Sequence, residues 1–179
     1  METKTIKNYF TDTIANLVLV SSKNKTTRRD LADVLRILSQ SSVHDVLFPN
    51  SSSKKLDKKL DKKRVESFIK FYKKGNTGNT NHLFLLKTKE GVVGGVDLQI
   101  VDANNASLGF WQDSNQKGFM TNAVNEIMSV ALKKKLEVLD AYVDLDNDKA
   151  INLLNRSGFS YKGIVKGKTR KLKKFMIVL

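Results

Sequence analysis

Residues 106–145 constrain the fold more than any other part of this chain. "ASLGFW" (106–111) is an apolar run of strand length. A polar stretch with one glycine follows, and "FMTNAVNEIMSVALKKK" then places Met120, Ala123, Val124, Ile127, Met128 and Ala131 at helical spacing, one apolar stripe. "LEVLDAYVDL" (136–145) is a second strand. Two strands joined through a helix pair in parallel, so this unit sets a glycine loop and a helix start beside two parallel strands.

The flanking elements complete a mixed sheet. "NLVLVSS" (16–22) reads as a strand. "TTRRDLADVLRILSQSS" reads as a helix, with Thr27 and Asp30 spaced as a capping box. "VHDVLFPNSSS" reads as a loop, and residues 54–74 as a second helix with Leu56, Leu60, Val65, Phe68, Ile69 and Tyr72 on one side. "HLFLLKT" (82–88), "VVGGVDLQIVD" (92–102) and "ASLGFW" are joined by short turns, as antiparallel hairpins require. "NDKAINLLNRSGF" is a short helix closed by Gly158, and "SYKGIVKG" and "KKFMIVL" are the last strands. The expected fold class is α/β, an α+β mixed sheet of seven strands and four helices in one domain over residues 1–179.

The chain has 179 residues, enough for one domain with a sizeable core, and no cysteine. Disulfides, zinc–thiolate sites and a thioester on the protein are therefore excluded. The N-terminus does not read as a signal peptide and no run approaches a membrane span, so the expectation is a cytoplasmic protein with no membrane partner. His44 and His82 stand alone, and no metal site is expected.

The formal charge is +14, and it is uneven. Residues 54–64 carry seven positive and two negative charges; residues 162–174 carry seven positive charges and no negative one. Such patches suit polyanions, and the partners expected on this ground are a ribosome, RNA or an acidic protein; the same lysines also serve solubility alone.

The loop "NQKGFMTNA" (115–123) has its own chemistry. Consecutive N–H groups from Gln116 to Thr121 can converge at the helix N-terminus, whose dipole favours an anion. Gly118 allows close approach of backbone to a phosphate, and Lys117 adds a mobile charge. Met120 is bulky for the first turn and narrows such a cradle. The plainer alternative is a strand-to-helix turn.

With "LGFW", this loop and "N-x-x-A-x-x-L-L-x-x-x-GF" (147–159) in place, the chain resembles the GNAT N-acetyltransferase family, most of all the branch that acetylates ribosomal-protein N-termini and related amines. The resemblance implies a GNAT-like acyl-CoA N-acyltransferase fold and acetyl-CoA as co-substrate, with an amine as acceptor. It places the family's "GYW" on Gly109-Phe110-Trp111 and its acyl-CoA motif on Asn115, Gln116, Lys117, Gly118, Phe119 and Met120. The implied cofactor-binding set is Phe110, Trp111, Gln112, residues 115–120, Thr121 and Asn147. Asn147 is also a natural N-cap for the following helix. The chain departs from the family at Asn115, where glutamine or arginine is usual, at Met120, where a small residue is usual, and at Ala150. Leu154 stands where other branches carry a tyrosine proton donor.

Acetyl transfer to an amine needs positioning and a base to take the proton. Asp97, mid-strand in "GGVDLQI", is the candidate catalytic base; the alternative is an aspartate on a solvated strand face. Asp144 and Asp146 are further candidates, and Tyr142 and Tyr161 are possible proton donors that nothing in the sequence selects. Two functions follow: an acetyl-CoA-dependent N-acetyltransferase working by direct attack in a ternary complex, or a GNAT-fold protein without transfer activity that binds a polyanion.

Overall fold

The computed structural model describes residues 3–47 and 60–179. Its elements are β1 (Lys4–Lys7), β2 (Ile14–Leu19), α1 (Arg28–Leu38), α2 (Ser41–Leu47), α3 (Lys62–Thr77), β3 (Asn81–Thr88), β4 (Gly91–Ile100), β5 (Asn105–Gln112), α4 (Met120–Lys133), β6 (Val138–Asp144), α5 (Asp148–Arg156), β7 (Ser160–Lys166) and β8 (Lys171–Val178). One sheet holds all eight strands in the order β1-β2-β3-β4-β5-β6-β8-β7. Every pairing is antiparallel except β5–β6.

Two elements exceed the seven strands and four helices expected. β1 is a polar tetrapeptide in which only Ile6 is buried, and its pairing with β2 rather than any pattern of its own makes it a strand. α2 begins in the last two residues of the segment read as the first helix and runs into the segment read as a loop; seven residues are too few to show a helical stripe. The helix expected over 54–74 starts instead at Lys62, behind Asp61, whose carboxylate accepts from the Arg64 N–H at 2.8 Å. Residues 54–59 of that expectation, with half of the first basic run, fall outside the described residues. No helix among the described residues is long and apolar enough to cross a membrane.

The helices cover the sheet from both sides. α4 and α5 bury Ala123, Val124, Ile127, Leu153 and Leu154 against Phe84, Val96, Leu98, Leu108 and Leu139. α1 and α3 bury Val34, Ile37, Val65, Ile69 and Tyr72 against Leu83, Leu85, Val92 and Trp111 on the opposite face. The period-two alternation of strands does this sorting: Val96 and Leu98 of β4 point to α4, so Asp97 between them points to α3.

The capping box read at Thr27 is formed: Thr27 accepts from the Asp30 N–H and Asp30 from the Thr27 N–H. The buried Asp30 also pairs with Lys87 of β3 at 2.7 Å. Burial alone raises its carboxyl, but the Lys87 and Thr27 hydrogen bonds outweigh this and hold it below the usual range. Gly158 closes α5 at φ +86°, the left-handed conformation expected of it.

Candidate active site

The parallel pair at the centre of the sheet is paired over only three positions, Asn105–Val138, Ala106–Leu139 and Ser107–Asp140. β5 nevertheless runs on to Gln112 and stays paired with β4 to its end, while β6 runs on to Asp144 and stays paired with β8. The two strands therefore splay beyond Ser107 and Asp140. Alternate backbone N–H and C=O groups of residues 108–112 face a gap with no strand partner there.

The loop after β5 leads from this gap to α4. Phe119 is the N-cap residue, and its side chain makes no capping bond. The N–H groups of residues 117–122 have no acceptor among the described residues. A helix start with several free donors beside a gap in the sheet has a geometry and a dipole that favour an anion. Gln112, at the end of β5, adds a buried Nε2 without an acceptor.

Asp113 organises the loop, and no local sequence pattern points to it. Its carboxylate is buried; it accepts from Arg36 of α1 and, at 2.9 Å, from Gln40 between α1 and α2, and from the Asn115 N–H at 3.0 Å. Gln40 Oε1 accepts from the Ser114 N–H at 2.9 Å, and the Gln116 N–H donates to the Asp113 carbonyl at 2.9 Å. Burial raises the Asp113 carboxyl, yet these donors together hold it below the usual range. Arg36 and Gln40 stand more than 70 positions away in the sequence, so no local pattern links them to the loop.

Gly118 adopts φ +88°, which side chains rarely tolerate. A Cβ there would lie 2.2 Å from Asn8 Oδ1. The β1–β2 turn is in fact fastened to the loop: Asn8 Nδ2 donates to the Lys117 carbonyl and the Tyr9 N–H to the Gly118 carbonyl, each at 2.7 Å. The glycine thus serves a close contact with Asn8, a role not visible in the sequence.

Met120 does not narrow the loop as expected. Its side chain is buried beneath the sheet, and Gly94 makes room for it: a Cβ on Gly94 would lie 3.2 Å from Met120 Cε. Phe119 is buried in the same core, whereas Asn115 and Lys117 are exposed and Gln116 and Thr121 half-buried. Phe110 packs on the α4 side. Trp111 turns its indole to the α1–α3 side, against Gly95, so only its backbone borders the gap. Asn147 caps α5 by accepting from the Ala150 N–H at 3.2 Å.

Asp97 is not on a solvated face; it is 6% exposed. Its carboxylate reaches over β5 at Gly109, where a Cβ would lie 2.5 Å from Oδ1. Gln99 Nε2 donates to it at 3.0 Å. Burial raises its carboxyl, opposed by hydrogen bonds from Gln99 and Tyr72. Burial likewise pushes the Tyr72 phenol far above its ordinary value, and the neighbouring Asp97 adds to this. Gly109 lies two residues past the last β5–β6 pairing, so the Asp97 carboxylate stands at the vertex of the splay.

At the far end of β6 a cavity of about 770 Å³ opens on the α1–α2 side, lined by Ser41, Ser42, Asp144, Leu145, Asp146, Arg170 and Lys171. Arg170 pairs with Asp144 at 2.6 Å. Burial raises the Asp144 carboxyl and Asp146 adds to this, against the pull of Arg170. Tyr142 donates to Asp140 at 3.3 Å, and Tyr161 packs against Phe175, so neither phenol is directed at the loop by a bond to it. Leu154 is fully buried.

Known proteins share this fold. The model of the acetyltransferase (GNAT) domain matches residues 24–160. The acetyltransferase PseH of Campylobacter jejuni subsp. jejuni serotype O:23/36 (strain 81-176) is 29% identical over 96 residues, which cover 53% of this chain and 61% of that protein. The match thus spans about three fifths of that relative's length. Among solved structures, a RimL ribosomal L7/L12 alpha-N-protein acetyltransferase in complex with coenzyme A superposes with a TM-score of 0.74 at 10% identity, covering 98% of each chain. A spermidine N-acetyltransferase from Vibrio cholerae in complex with CoA and spermine superposes at 0.67 and 17% identity, covering 90% of this chain and 95% of that one. At these identities the superpositions speak for the fold alone, and the domain match carries the assignment: the chain belongs to the GNAT acetyltransferase family.

Proposed function

We propose that this protein is an acetyl-CoA-dependent N-acetyltransferase that joins acetyl-CoA and a primary amine in one ternary complex. The observation that carries the reading is the uncapped run of N–H groups at residues 117–122, set beside the splay of β5 and β6. The diphosphate of acetyl-CoA takes those donors, with Lys117 as a nearby cation. The pantetheine arm lies between the splayed strands, hydrogen-bonded to the free edge of residues 108–112, and the thioester reaches the vertex. There a β5 N–H steadies the charge that develops on the carbonyl oxygen.

The amine enters from the opposite side, through the cavity lined by Ser41, Asp144 and Asp146. Its nitrogen forms a bond to the acetyl carbon as the carbon–sulfur bond breaks. Asp97, directly or through one water, takes the proton the nitrogen loses. The raised carboxyl of Asp97 makes it a better base than an exposed aspartate. Leu154 has no proton to give, so the departing thiolate takes one from water.

The acceptor is an amine carried by an acidic partner. Lys162, Lys166, Lys168 and Lys171 are exposed on the β7–β8 hairpin, which forms one wall of the acceptor cavity. A ribosome, RNA or an acidic protein meets that charge. The same hairpin supports the second reading, a polyanion-binding protein without transfer activity. Acetylation of a panel of amines and N-terminal peptides separates the two, with release of free thiol as the readout. Thiol release that depends on the amine supports the transferase; acetyl-CoA binding with no acceptor turned over, alongside RNA or ribosome binding, supports the second.

A further inference from the structure

The most elaborate polar cluster near the candidate site touches neither the acetyl group nor the amine. Asp113 is 4% exposed, and every bond its carboxylate makes is to the end of α1 or to the loop itself: Arg36 and Gln40 on one side, the Asn115 N–H on the other. Gln40 closes the circuit by accepting from the Ser114 N–H at 2.9 Å. The Asp113 N–H donates to Val93 of β4 at 3.0 Å, which fixes where the loop leaves the sheet. Residues 113–116 have therefore spent their donors on this cluster, and residues 117–122 have not. Without the cluster the loop backbone is free to turn those later N–H groups apart, or to pair them with its own carbonyls.

We propose that Asp113, gripped by Arg36 and Gln40, is a positioning residue: it holds the loop so that the N–H groups of residues 117–121 converge on the diphosphate of acetyl-CoA. Asp113 makes no contact with the cofactor in this scheme. The cluster also makes the position of α1 a condition for holding the diphosphate. Gln40 immediately precedes Ser41 and Ser42 in the wall of the acceptor cavity, so the two sides of the site share one anchor. The inference rests on the acetyl-CoA reading above and deepens it.

The test compares two ligands on the parent, Asp113→Asn and Gln40→Met. CoA carries the diphosphate; pantetheine carries the same arm without any phosphate. Binding is followed by amide NMR titration, with the thermal midpoint of each variant recorded. The expected result is a CoA dissociation constant raised about 10- to 100-fold, the range for outer groups that orient inner ones, with pantetheine affinity within about twofold of the parent. Gln40→Met, at a half-buried position, keeps the test available should Asp113→Asn fold poorly. Unchanged CoA affinity in a folded variant overturns the proposal. So does an equal loss of both ligands, which marks the cluster as structural support for the whole cleft. A parent that binds neither CoA nor pantetheine contradicts the acetyl-CoA reading itself and takes this inference with it.

Discussion

Asp97 has the one carboxylate that stands at the vertex of the splay from the β4 side, buried and turned over Gly109. Asp97→Asn keeps the shape and removes the basicity. Turnover should fall about 10²- to 10⁴-fold while acetyl-CoA affinity stays near the parent's. Because burial raises the Asp97 carboxyl, the acid limb of the parent's rate profile should lie above the ordinary carboxylate range and vanish in the variant. Steady-state rates across pH check both points; a variant as fast as the parent removes Asp97 from the mechanism. Gly118 gives a second residue-scale expectation. Gly118→Ala puts a Cβ into the left-handed region and against Asn8 Oδ1, so it should cost about 1–3 kcal/mol of stability and weaken CoA binding. Adding Asn8→Ala should recover part of the loss by removing the clash, as a denaturant double-mutant cycle would show. The residue types at both positions were legible in the sequence, because a mid-strand aspartate and a lone glycine before a helix are each unusual. What they touch was not: Tyr72, Gln99 and Asn8 reach them through sheet pairing and turn docking.

At the scale of elements, the long periodic segments were readable and the short ones were not. α4 showed its stripe, and Ile127, fully buried from that stripe, should cost about 2–5 kcal/mol when cut to alanine. β1 and α2 carry too few residues for a period, and only the neighbours that pair or pack with them define them. The start of α3 at Lys62 was not readable among its lysines, because "KKLD" repeats at one helical turn and the Asp61 cap looks like one more of its aspartates. β3 holds a pH-sensitive element: His82 is buried, donates from Nδ1 to Asn76 Oδ1 at 2.9 Å, and leaves Nε2 unpartnered. Burial, with the nearby Lys134 charge, lowers it from 6.5 to about 4. The unfolded chain therefore takes up a proton near pH 6.5 that the folded chain refuses until about pH 4. Stability should fall as pH drops through that window, and His82→Gln should flatten the slope in denaturant titrations at pH 7, 6 and 5.

For the whole molecule, the charge pattern separates cations that build the site from cations that face water. Arg170 pairs with Asp144, Lys173 donates to the Leu145 carbonyl at 2.6 Å, and Lys174 pairs with Asp140 at 2.8 Å. Composition counted all seven positive charges of residues 162–174 alike; only the fold distinguishes these three. Replacing Lys162, Lys166, Lys168 and Lys171 with glutamine should leave circular dichroism unchanged, and it should weaken association with RNA or ribosomes and flatten its salt dependence. A parent that binds no polyanion at low salt rules out that partner class. The family was legible because its motifs fall on one contiguous stretch, from β5 through α5, while the anchor of the loop comes from Arg36 and Gln40, more than 70 positions earlier.

The account stands on the claim that residues 117–121 hold the diphosphate of acetyl-CoA. The most direct measurement is a crystal structure of the protein with CoA, supported by a thermal shift, since a ligand at a hundred times its dissociation constant adds about 2.7 kcal/mol. The account predicts diphosphate oxygens within hydrogen-bond reach of the N–H groups of residues 117–121 and the pantetheine arm between β5 and β6 beyond Ser107. CoA bound with its diphosphate elsewhere, or no thermal shift at saturating CoA, would contradict it.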